Sequence, residues 1–299
     1  MTKSVFFPML VLALCVHLAV PAPAEAAIFN SQSALDQSEV FALDPMFDPV
    51  GYITYTNSQG EFMAGTGVLI DPNWVLTVGH VVTSSDTTLH QEMAFSLNND
   101  FYEVPYNMVA AEDYFTFPGY SENMSPGTGD DIALIKLVDP IFDVAPAVRY
   151  RGPELVDPVF NVAGYGKPGV WPDEGDFDGI LRGGRNIADY SLPRVDDSKF
   201  WMSYFDRFDS GNPLPLEWNG SQFDSGSGWF TEVNGEMQLI GMSNAVFGLS
   251  NSTAGIRVPL YNDWIDSHVN PVPEPSSFVL WATGALGGLA LKRRKRRTA

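Results

Sequence analysis

The chain has 299 residues, 45% of them hydrophobic, and a formal net charge of −19. This length is enough for one large domain or two small ones with substantial cores, and the acidic charge argues against nucleic acid or an anionic membrane surface as a partner. The only cysteine, Cys15, lies in an N-terminal apolar run. The rest of the chain therefore has no disulfide, no cysteine nucleophile and no thiolate metal site.

Residues 1–26 have the pattern of a secretory signal peptide. Lys3 supplies a basic start, residues 5–20 are largely apolar, and Ala24-Glu-Ala26 offers small residues for cleavage after Ala26. The alternative is an N-terminal membrane anchor, but the apolar run is shorter than the roughly 20 residues that a bilayer requires. The pattern predicts an exported protein that is processed by signal peptidase.

Residues 27–270 begin with a polar segment and continue with a pattern that is typical of an all-β protein. Residues 27–48 are acidic with little periodicity, and we interpret them as an N-terminal extension or propeptide. Short β-prone runs separated by Gly, Pro, Asn and Asp then favour barrels or sandwiches. The runs are 52–56, 67–70, 74–77, 132–137, 159–163, 228–231 and 237–242.

One helix is predicted, over residues 259–268, near the end of this region. Leu260, Trp264, Ile265 and Val269 would share one apolar face of it. The helix would close the domain against its core.

Three histidines follow the signal peptide: His80, His90 and His268. His80 comes directly after two β-prone runs, and an imidazole with an ordinary pKa of about 6.5 can accept and return a proton near neutrality. His90 lies in a polar loop and His268 in the terminal helix, so we expect both to be solvated and structural. His80 is the candidate general base.

Three segments around His80, Asp131 and Ser225 resemble the trypsin/chymotrypsin-like serine proteases. Thr77-Val-Gly-His80 is similar to the Thr-Ala-Gly-His segment of that family, and Asp131-Ile-Ala-Leu-Ile-Lys-Leu137 to its Asp-Ile-Ala-Leu-Leu-Lys-Leu. Asp224-Ser-Gly-Ser-Gly228 resembles the segment of its nucleophile. The chain order His, Asp, Ser also matches this family and differs from subtilisins and α/β-hydrolases.

The resemblance implies an all-β fold of two six-stranded antiparallel β-barrels with a C-terminal helix, and an active site between the barrels. The first barrel would span residues 49–150 and the second, with the helix, residues 151–270. His80, Asp131 and Ser225 would form the catalytic triad of a serine endopeptidase that cleaves polypeptides through an acyl-enzyme. Such an enzyme needs no cofactor and no metal. The alternative is a surface or matrix protein that keeps the protease fold without activity.

Two neighbouring residues compete with these assignments. Asp130 is an alternative carboxylate, but Asp131 directly precedes the β-prone run and is expected to point inward, leaving Asp130 toward solvent. Ser227 is an alternative hydroxyl between two glycines, to which the family pattern assigns no catalytic role.

The resemblance also implies an oxyanion hole formed by the backbone N–H groups of Phe223 and Ser225. The family generally has glycine where this chain has Phe223. A phenylalanine there either adopts a less favourable backbone geometry or leaves the hole incomplete. In either case we expect activity to be low or induced by substrate, and Phe223→Gly to raise the catalytic rate.

The residues that correspond to the family's specificity pocket are Asn219 at its base and Ala245 and Gly255 at its walls. None of them is charged, so the sequence predicts uncharged, small or medium side chains before the cleaved bond. Residues 173–179 alternate carboxylates in a way that suits calcium, although a solvated acidic loop is the simpler interpretation.

Residues 271–299 carry three parts in order: Val272-Pro-Glu-Pro-Ser276, a Gly-rich apolar run over 277–291, and the basic residues 292–297. They resemble the PEP-CTERM sorting signal of Gram-negative bacteria, which a membrane-bound exosortase cuts near the Pro-Glu-Pro motif. This implies export to the cell envelope, cell surface or extracellular matrix, with an exosortase-type enzyme as a processing partner. A short transmembrane segment with a cytoplasmic basic end is predicted here, as the only contact with the membrane. A permanent single-span anchor is the alternative.

Overall fold

The structure is a computed structural model, and its first and last segments lie outside the residues that it describes. Those segments carry the predicted signal peptide, residues 1–26, and the predicted sorting tail, residues 271–299. The described residues are 27–83, 89–103, 107–120, 130–189, 199–207, 211–247 and 251–270.

The segment interpreted as an extension, residues 27–48, is packed into the fold. It forms strand β1 (Ala27–Phe29), helix α1 (Gln32–Phe41) and a 3-10 helix (Pro45–Phe47). Phe29 and Phe47 are fully buried. The segment therefore contributes to the core whether or not it also serves as a propeptide.

Helix α1 was not predicted because its sequence is mostly polar. Ser38 is its only fully buried residue, and Ala34, Leu35 and Phe41 are partly buried against the core, so the apolar face that could have indicated a helix is narrow. The helix begins after Ser31, whose hydroxyl accepts a hydrogen bond from the Ala34 amide at 3.2 Å. An ion pair of 2.6 Å between Glu39 and Arg182 ties it to the second half of the chain.

Six antiparallel strands close the first barrel in the order β2-β3-β4-β7-β6-β5. Each predicted run in this half lies within or overlaps one of them, and 74–77 matches its strand at both ends. The strands are β2 (Val50–Thr56), β3 (Phe62–Asp71), β4 (Trp74–Thr77), β5 (Gln91–Ser96), β6 (Val109–Thr116) and β7 (Ala133–Leu137). Between β4 and β5 lies the short helix α2 (Gly79–Val82).

The second half of the chain forms a seven-stranded half-barrel and a small three-stranded sheet. The half-barrel has the order β12-β9-β14-β15-β16-β13, with β8 added to β15, and the small sheet has the order β1-β10-β11. The strands are β8 (Val148–Arg149), β9 (Val159–Gly164), β10 (Pro168–Val170), β11 (Asp173–Glu174), β12 (Arg182–Ile187), β13 (Phe200–Tyr204), β14 (Gly228–Val233), β15 (Glu236–Phe247) and β16 (Ser252–Arg257). The predicted all-β fold class is confirmed.

The C-terminal helix is confirmed with shifted bounds. A 3-10 turn (Val258–Tyr261) precedes helix α3 (Asn262–Val269). Ile265 is fully buried as expected, whereas Leu260 is 53% exposed. Leu260 lies in the 3-10 turn, whose three-residue period takes it out of phase with the buried face of α3.

Large aromatic side chains fill the core of the second half. Trp201, Trp218 and Trp229 are fully buried, and the Phe160 ring stacks on Trp229 with centroids 4.0 Å apart. Each such ring removes roughly 150–250 Å² of surface from water. Aromatic burial thus supplies a substantial part of the packing in a domain without disulfides.

The prediction of a transmembrane segment needs a correction. In the part of the chain that the structure describes, no helix is both long enough and apolar enough to span a bilayer. The transmembrane assignment is therefore withdrawn.

Candidate active site

The antiparallel pairing of β4 with β7 brings His80 and Asp131 together. Thr77, at the end of β4, lies opposite Ala133, at the start of β7. The chain leaving β4 into α2 therefore runs beside the chain that enters β7. His80 is the second residue of α2, and Asp131 lies two residues before β7.

The His80 imidazole lies between a carboxylate and a hydroxyl. Its Nδ1 lies 2.7 Å from Asp131 Oδ2, and its Nε2 lies 2.7 Å from Ser225 Oγ. The His80 backbone N–H also donates to Asp131 Oδ1 at 2.9 Å, so both carboxylate oxygens are oriented by the same residue. The His80 side chain is 28% exposed, so a ligand can reach it.

Gly79 allows this close approach. A Cβ at position 79 would lie 2.9 Å from Asp131 Oδ1 and 3.0 Å from the Tyr120 ring. The contact with Asp131 Oδ1 is shorter than packed atoms allow and the contact with the ring is tight, so a side chain here would push the carboxylate away from His80.

The two competing residues have other surroundings. Asp130 accepts hydrogen bonds from Lys199 Nζ and from the Tyr261 hydroxyl, and its side chain is only 14% exposed. The expectation that Asp130 faces solvent is therefore wrong, because two residues distant in sequence cover it. Ser227 is fully buried, whereas Ser225 is half-buried and faces His80.

The loop that carries Ser225 has two residues with positive φ. Gly226 has φ +89°, which glycine tolerates, but Phe223 has φ +81°. A side chain in this region costs about 1–2 kcal/mol. The structure thus realises the first of the two alternatives, in which Phe223 adopts the less favourable geometry.

The two amides expected to form the oxyanion hole are left without a hydrogen bond in the part of the chain that the structure describes. Among the described residues, neither the Phe223 nor the Ser225 N–H donates to a protein acceptor. Their carbonyl oxygens, in contrast, both accept hydrogen bonds from Thr66, at 3.0 Å and 2.9 Å respectively. The Phe223 ring packs edge-on against Phe177, with centroids 4.8 Å apart.

Asp224, next to Ser225, is a buried carboxylate. It accepts hydrogen bonds from the Gly166 amide at 3.0 Å and from the Ser221 amide and hydroxyl, both at 2.9 Å. Burial raises the pKa of Asp224 to about 6, and these hydrogen bonds oppose the rise. These hydrogen bonds fix the loop that carries Ser225 against the segment of Gly166.

Asn244 is a site residue that the sequence did not indicate. Its Nδ2 donates to Asp131 Oδ2 at 2.5 Å, the same oxygen that faces the imidazole. The pairing of β15 with β16 shifts register between Ser243 and Ala245, so Asn244 is the extra residue of a β-bulge. Bulges redirect side chains, and single-strand periodicity gives no sign of them.

The three predicted specificity residues lie close together in the second half. Ala245 is opposite Ala254 on β16, one residue before Gly255, and the Thr253 hydroxyl of the same strand donates to Asn219 Oδ1 at 2.9 Å. Asn219 is 1% exposed. A Cβ on Gly255 would lie 2.5 Å from the Trp229 ring, so Trp229 occupies the space beneath that glycine.

The other two histidines are more buried than expected. His90 is 5% exposed and stacks on Tyr55 with centroids 4.5 Å apart. His268 contacts Trp74 and Phe115 through its ring. The expectation of a solvated role is therefore wrong for His90, which is buried, whereas His268 is only partly covered by these rings.

In the acidic loop, cations of the protein already pair with two carboxylates. Asp178 binds Arg182 at 2.8 Å, and Glu174 lies 3.8 Å from Lys167. The described residues contain no cluster of three or more His, Cys, Asp or Glu side chains arranged to hold a metal ion.

The closed barrel, the half-barrel and the terminal helix, with His80, Asp131 and Ser225 at the junction, define the fold of the trypsin-like proteases. Residues 51–175 match the trypsin family model, and residues 271–297 match the PEP-CTERM protein-sorting motif. Both resemblances are thereby confirmed. The trypsin match includes His80 and Asp131 and ends before Ser225.

The chain is also similar to individual proteins. Urokinase-type plasminogen activator of Gallus gallus is 26% identical over 239 residues, which cover 71% of this chain and 52% of that protein. The chain thus spans about half the length of this curated relative. A solved structure of HL collagenase matches with a TM-score of 0.57 and 20% identity, over 77% of this chain and 96% of the collagenase chain. A Glu endopeptidase structure matches with a TM-score of 0.57 and 16% identity, over 76% and 94% of the two chains.

Proposed function

We propose that the protein is an exported serine endopeptidase with Ser225 as nucleophile, His80 as general base and Asp131 as the carboxylate that orients His80. The observation that carries the proposal is the His80 imidazole held between Asp131 and Ser225 at 2.7 Å on each side. Nucleophile, base and orienting group within hydrogen-bond reach are what acyl transfer by serine requires.

In this mechanism, Ser225 Oγ attacks the carbonyl carbon of a peptide bond while His80 Nε2 takes the hydroxyl proton. His80 then gives the proton to the amine leaving group, and an acyl-enzyme remains on Ser225. Water, deprotonated by His80, hydrolyses that ester and regenerates the serine. Asp131 stabilises the imidazolium in both halves of the reaction.

The oxyanion that forms in each half would be bound by the amides of Phe223 and Ser225. Both are free of acceptors among the described residues, and Phe223 has the positive φ that glycine usually supplies at this place. Donors that are fixed before the reaction need no reorganisation when charge develops.

The sorting motif extends the proposal to localisation and processing. Its match over residues 271–297 supports export to the cell envelope in a Gram-negative bacterium. Signal peptidase would remove residues 1–26, and an exosortase-type enzyme would process the tail. The substrate would be a polypeptide, cleaved after an uncharged residue because Asn219, Ala245 and Gly255 are all uncharged.

The direct test is labelling of the full chain with a fluorophosphonate probe, beside Ser225→Ala and Ser227→Ala variants. We expect labelling of the wild type and of Ser227→Ala, and none of Ser225→Ala. Absence of labelling in a folded, processed sample contradicts the proposal and favours an inactive protease-fold surface protein.

Asn244 gives a second prediction. Replacement by the similarly sized leucine removes a hydrogen bond to a charged carboxylate, which is worth about 1.5–3 kcal/mol. We therefore expect Asn244→Leu to lower kcat by at least about tenfold, with KM changed less than about twofold, in peptide-substrate kinetics.

The matched control for Asn244 is its neighbour Ser243. The Ser243 hydroxyl accepts a hydrogen bond from Trp229 Nε1 at 2.9 Å. Ser243→Ala should lower the free energy of unfolding while leaving kcat within about threefold. Equal losses of kcat in the two variants would show that Asn244 contributes only to folding of the strand.

A further inference from the structure

Thr66, on β3 of the first barrel, contacts the Ser225 loop at three points. Its amide donates to Ser225 O at 2.9 Å, and its hydroxyl donates to Phe223 O at 3.0 Å. Its own carbonyl oxygen lies against Gly226, where an added Cβ would come within 2.0 Å. Thr66 is fully buried, so the loop rests on an interior strand of the other barrel.

The hydroxyl of Thr66 is oriented by its surroundings. It accepts a hydrogen bond from the Tyr165 amide at 3.3 Å, which leaves its proton directed at Phe223 O. The Thr66 carbonyl accepts from the Thr77 hydroxyl at 2.8 Å. The donor that meets Phe223 is thus held in place by two other segments.

The hydrogen bond from the Thr66 hydroxyl to Phe223 O opposes the return of Phe223 to negative φ, which a phenylalanine favours. Return of Phe223 to negative φ requires rotation about its N–Cα bond, which would carry its carbonyl away from the Thr66 hydroxyl. Breaking that hydrogen bond would leave the buried Thr66 hydroxyl without its acceptor and the Phe223 carbonyl without its donor. Glycine at position 223 would need no such restraint.

We propose that Thr66 is a positioning residue that holds Phe223 in the left-handed conformation and so keeps the Phe223 amide in the oxyanion hole. The inference rests on the proposed peptidase function for its catalytic consequence. Its structural part, the coupling between the Thr66 hydroxyl and residue 223, is independent of activity. Together, Thr66 and Phe223 take the place of a glycine in the loop.

The test is a double-mutant cycle with Thr66→Val, Phe223→Gly and the combined variant, in the full chain. Thr66→Val keeps the shape and the amide but removes the hydroxyl. We expect kcat to fall about 10- to 100-fold with KM changed less than about twofold, a smaller loss than the 10²–10³-fold of deleting an oxyanion donor. Thr66→Ser, which retains the donor, should stay within about threefold of the wild type.

The combined variant decides the mechanism. Since glycine adopts positive φ freely, the kcat of the combined variant should lie within about threefold of the kcat of Phe223→Gly alone. Phe223→Gly by itself is the reference for this comparison, which depends on the ratio of the two kcat values and not on the absolute kcat of either variant. The lost acceptor for the Tyr165 amide is common to both backgrounds and cancels in the cycle. Equal loss of kcat on Thr66→Val in both backgrounds would overturn the proposal.

Two further measurements separate this inference from the proposed function. Thr77→Val removes another buried hydroxyl that bonds to Thr66. Its effect on kcat should be the same with phenylalanine or glycine at position 223. Urea unfolding should be measured for the wild type, Thr66→Val, Phe223→Gly and the combined variant. Thr66→Val should lower the free energy of unfolding more in the wild-type background than in the Phe223→Gly background. A wild type inert to fluorophosphonate and peptides refutes the peptidase, whereas additive unfolding free energies refute the Thr66 restraint.

Discussion

Asp131→Asn is expected to lower kcat at neutral pH by about 10⁴-fold, with a small change in KM. The amide that replaces the carboxylate has its orientation fixed, because its oxygen remains bonded to the His80 backbone N–H, now 2.9 Å from Asp131 Oδ1. Its NH₂ group would then face His80 Nδ1. The imidazole is thereby forced to carry its proton on Nε2, toward Ser225, and cannot accept the serine proton.

Asn244 is expected to increase the loss of kcat caused by Asp131→Asn. Its Nδ2 already donates to Asp131 Oδ2, so an asparagine at 131 would bring two donors together. We expect Asn244→Leu to have a smaller effect on kcat in the Asp131→Asn background than in the wild type.

Kinetics with a peptide substrate check the Asp131 prediction, with Asp130→Asn as the matched control. Asp130 bonds to Lys199 and Tyr261, whereas Asp131 bonds to His80, so this control should retain kcat within about fivefold. A loss below tenfold in Asp131→Asn, or an equal loss in both variants, would contradict the assigned role of Asp131.

The second large effect is a fall in the free energy of unfolding as pH rises from about 4 to about 7. Burial raises the pKa of Asp224 to about 6 and that of Glu217 to about 7. Both carboxyls have ordinary values near 4. In this window the native state binds more protons than the unfolded chain, so stability decreases with pH.

The size of the effect follows from the shifts. At about 1.36 kcal/mol per unit, each group makes a contribution of about 3 kcal/mol that is fully present below pH 4 and lost as pH rises through the native pKa. Glu217 is the better group to test because it lies away from Ser225. It is 3% exposed and accepts hydrogen bonds from the Leu214 amide at 2.7 Å and the Asp206 amide at 3.2 Å.

Urea unfolding at pH 4.5 and 7.5 measures this dependence. Glu217→Gln, which cannot ionise, should reduce the difference between the two pH values by about 3 kcal/mol. The control, Glu232→Gln, removes a carboxylate from the exposed surface and should leave the difference unchanged. An unchanged difference in Glu217→Gln would refute the raised pKa of that group.

Local pattern was sufficient for the residues that meet at the junction and for seven strands, while the other strands that the structure describes were not predicted. The seven are β2, β3, β4, β7, β9, β14 and β15. Short β-prone runs between turn residues predicted segments of both halves, and 74–77 matches β4 at both ends. The blocks around His80, Asp131 and Ser225 indicated side chains that the structure places within hydrogen-bond distance. Their catalytic roles stay predictions.

Tertiary structure alone decided the contacts that orient those residues. Asn244 reaches Asp131 through a β-bulge, Thr66 reaches the Ser225 loop from another barrel, and Asp130 is covered by Lys199 and Tyr261. Helix α1, with a single fully buried residue, joins the fold through partly buried Leu35 and Phe41 and through the ion pair between Glu39 and Arg182. Periodicity reports which face of one element is apolar. It carries no information on which distant element will supply a donor or cover a charge, because strand pairing and packing of the whole chain set those distances.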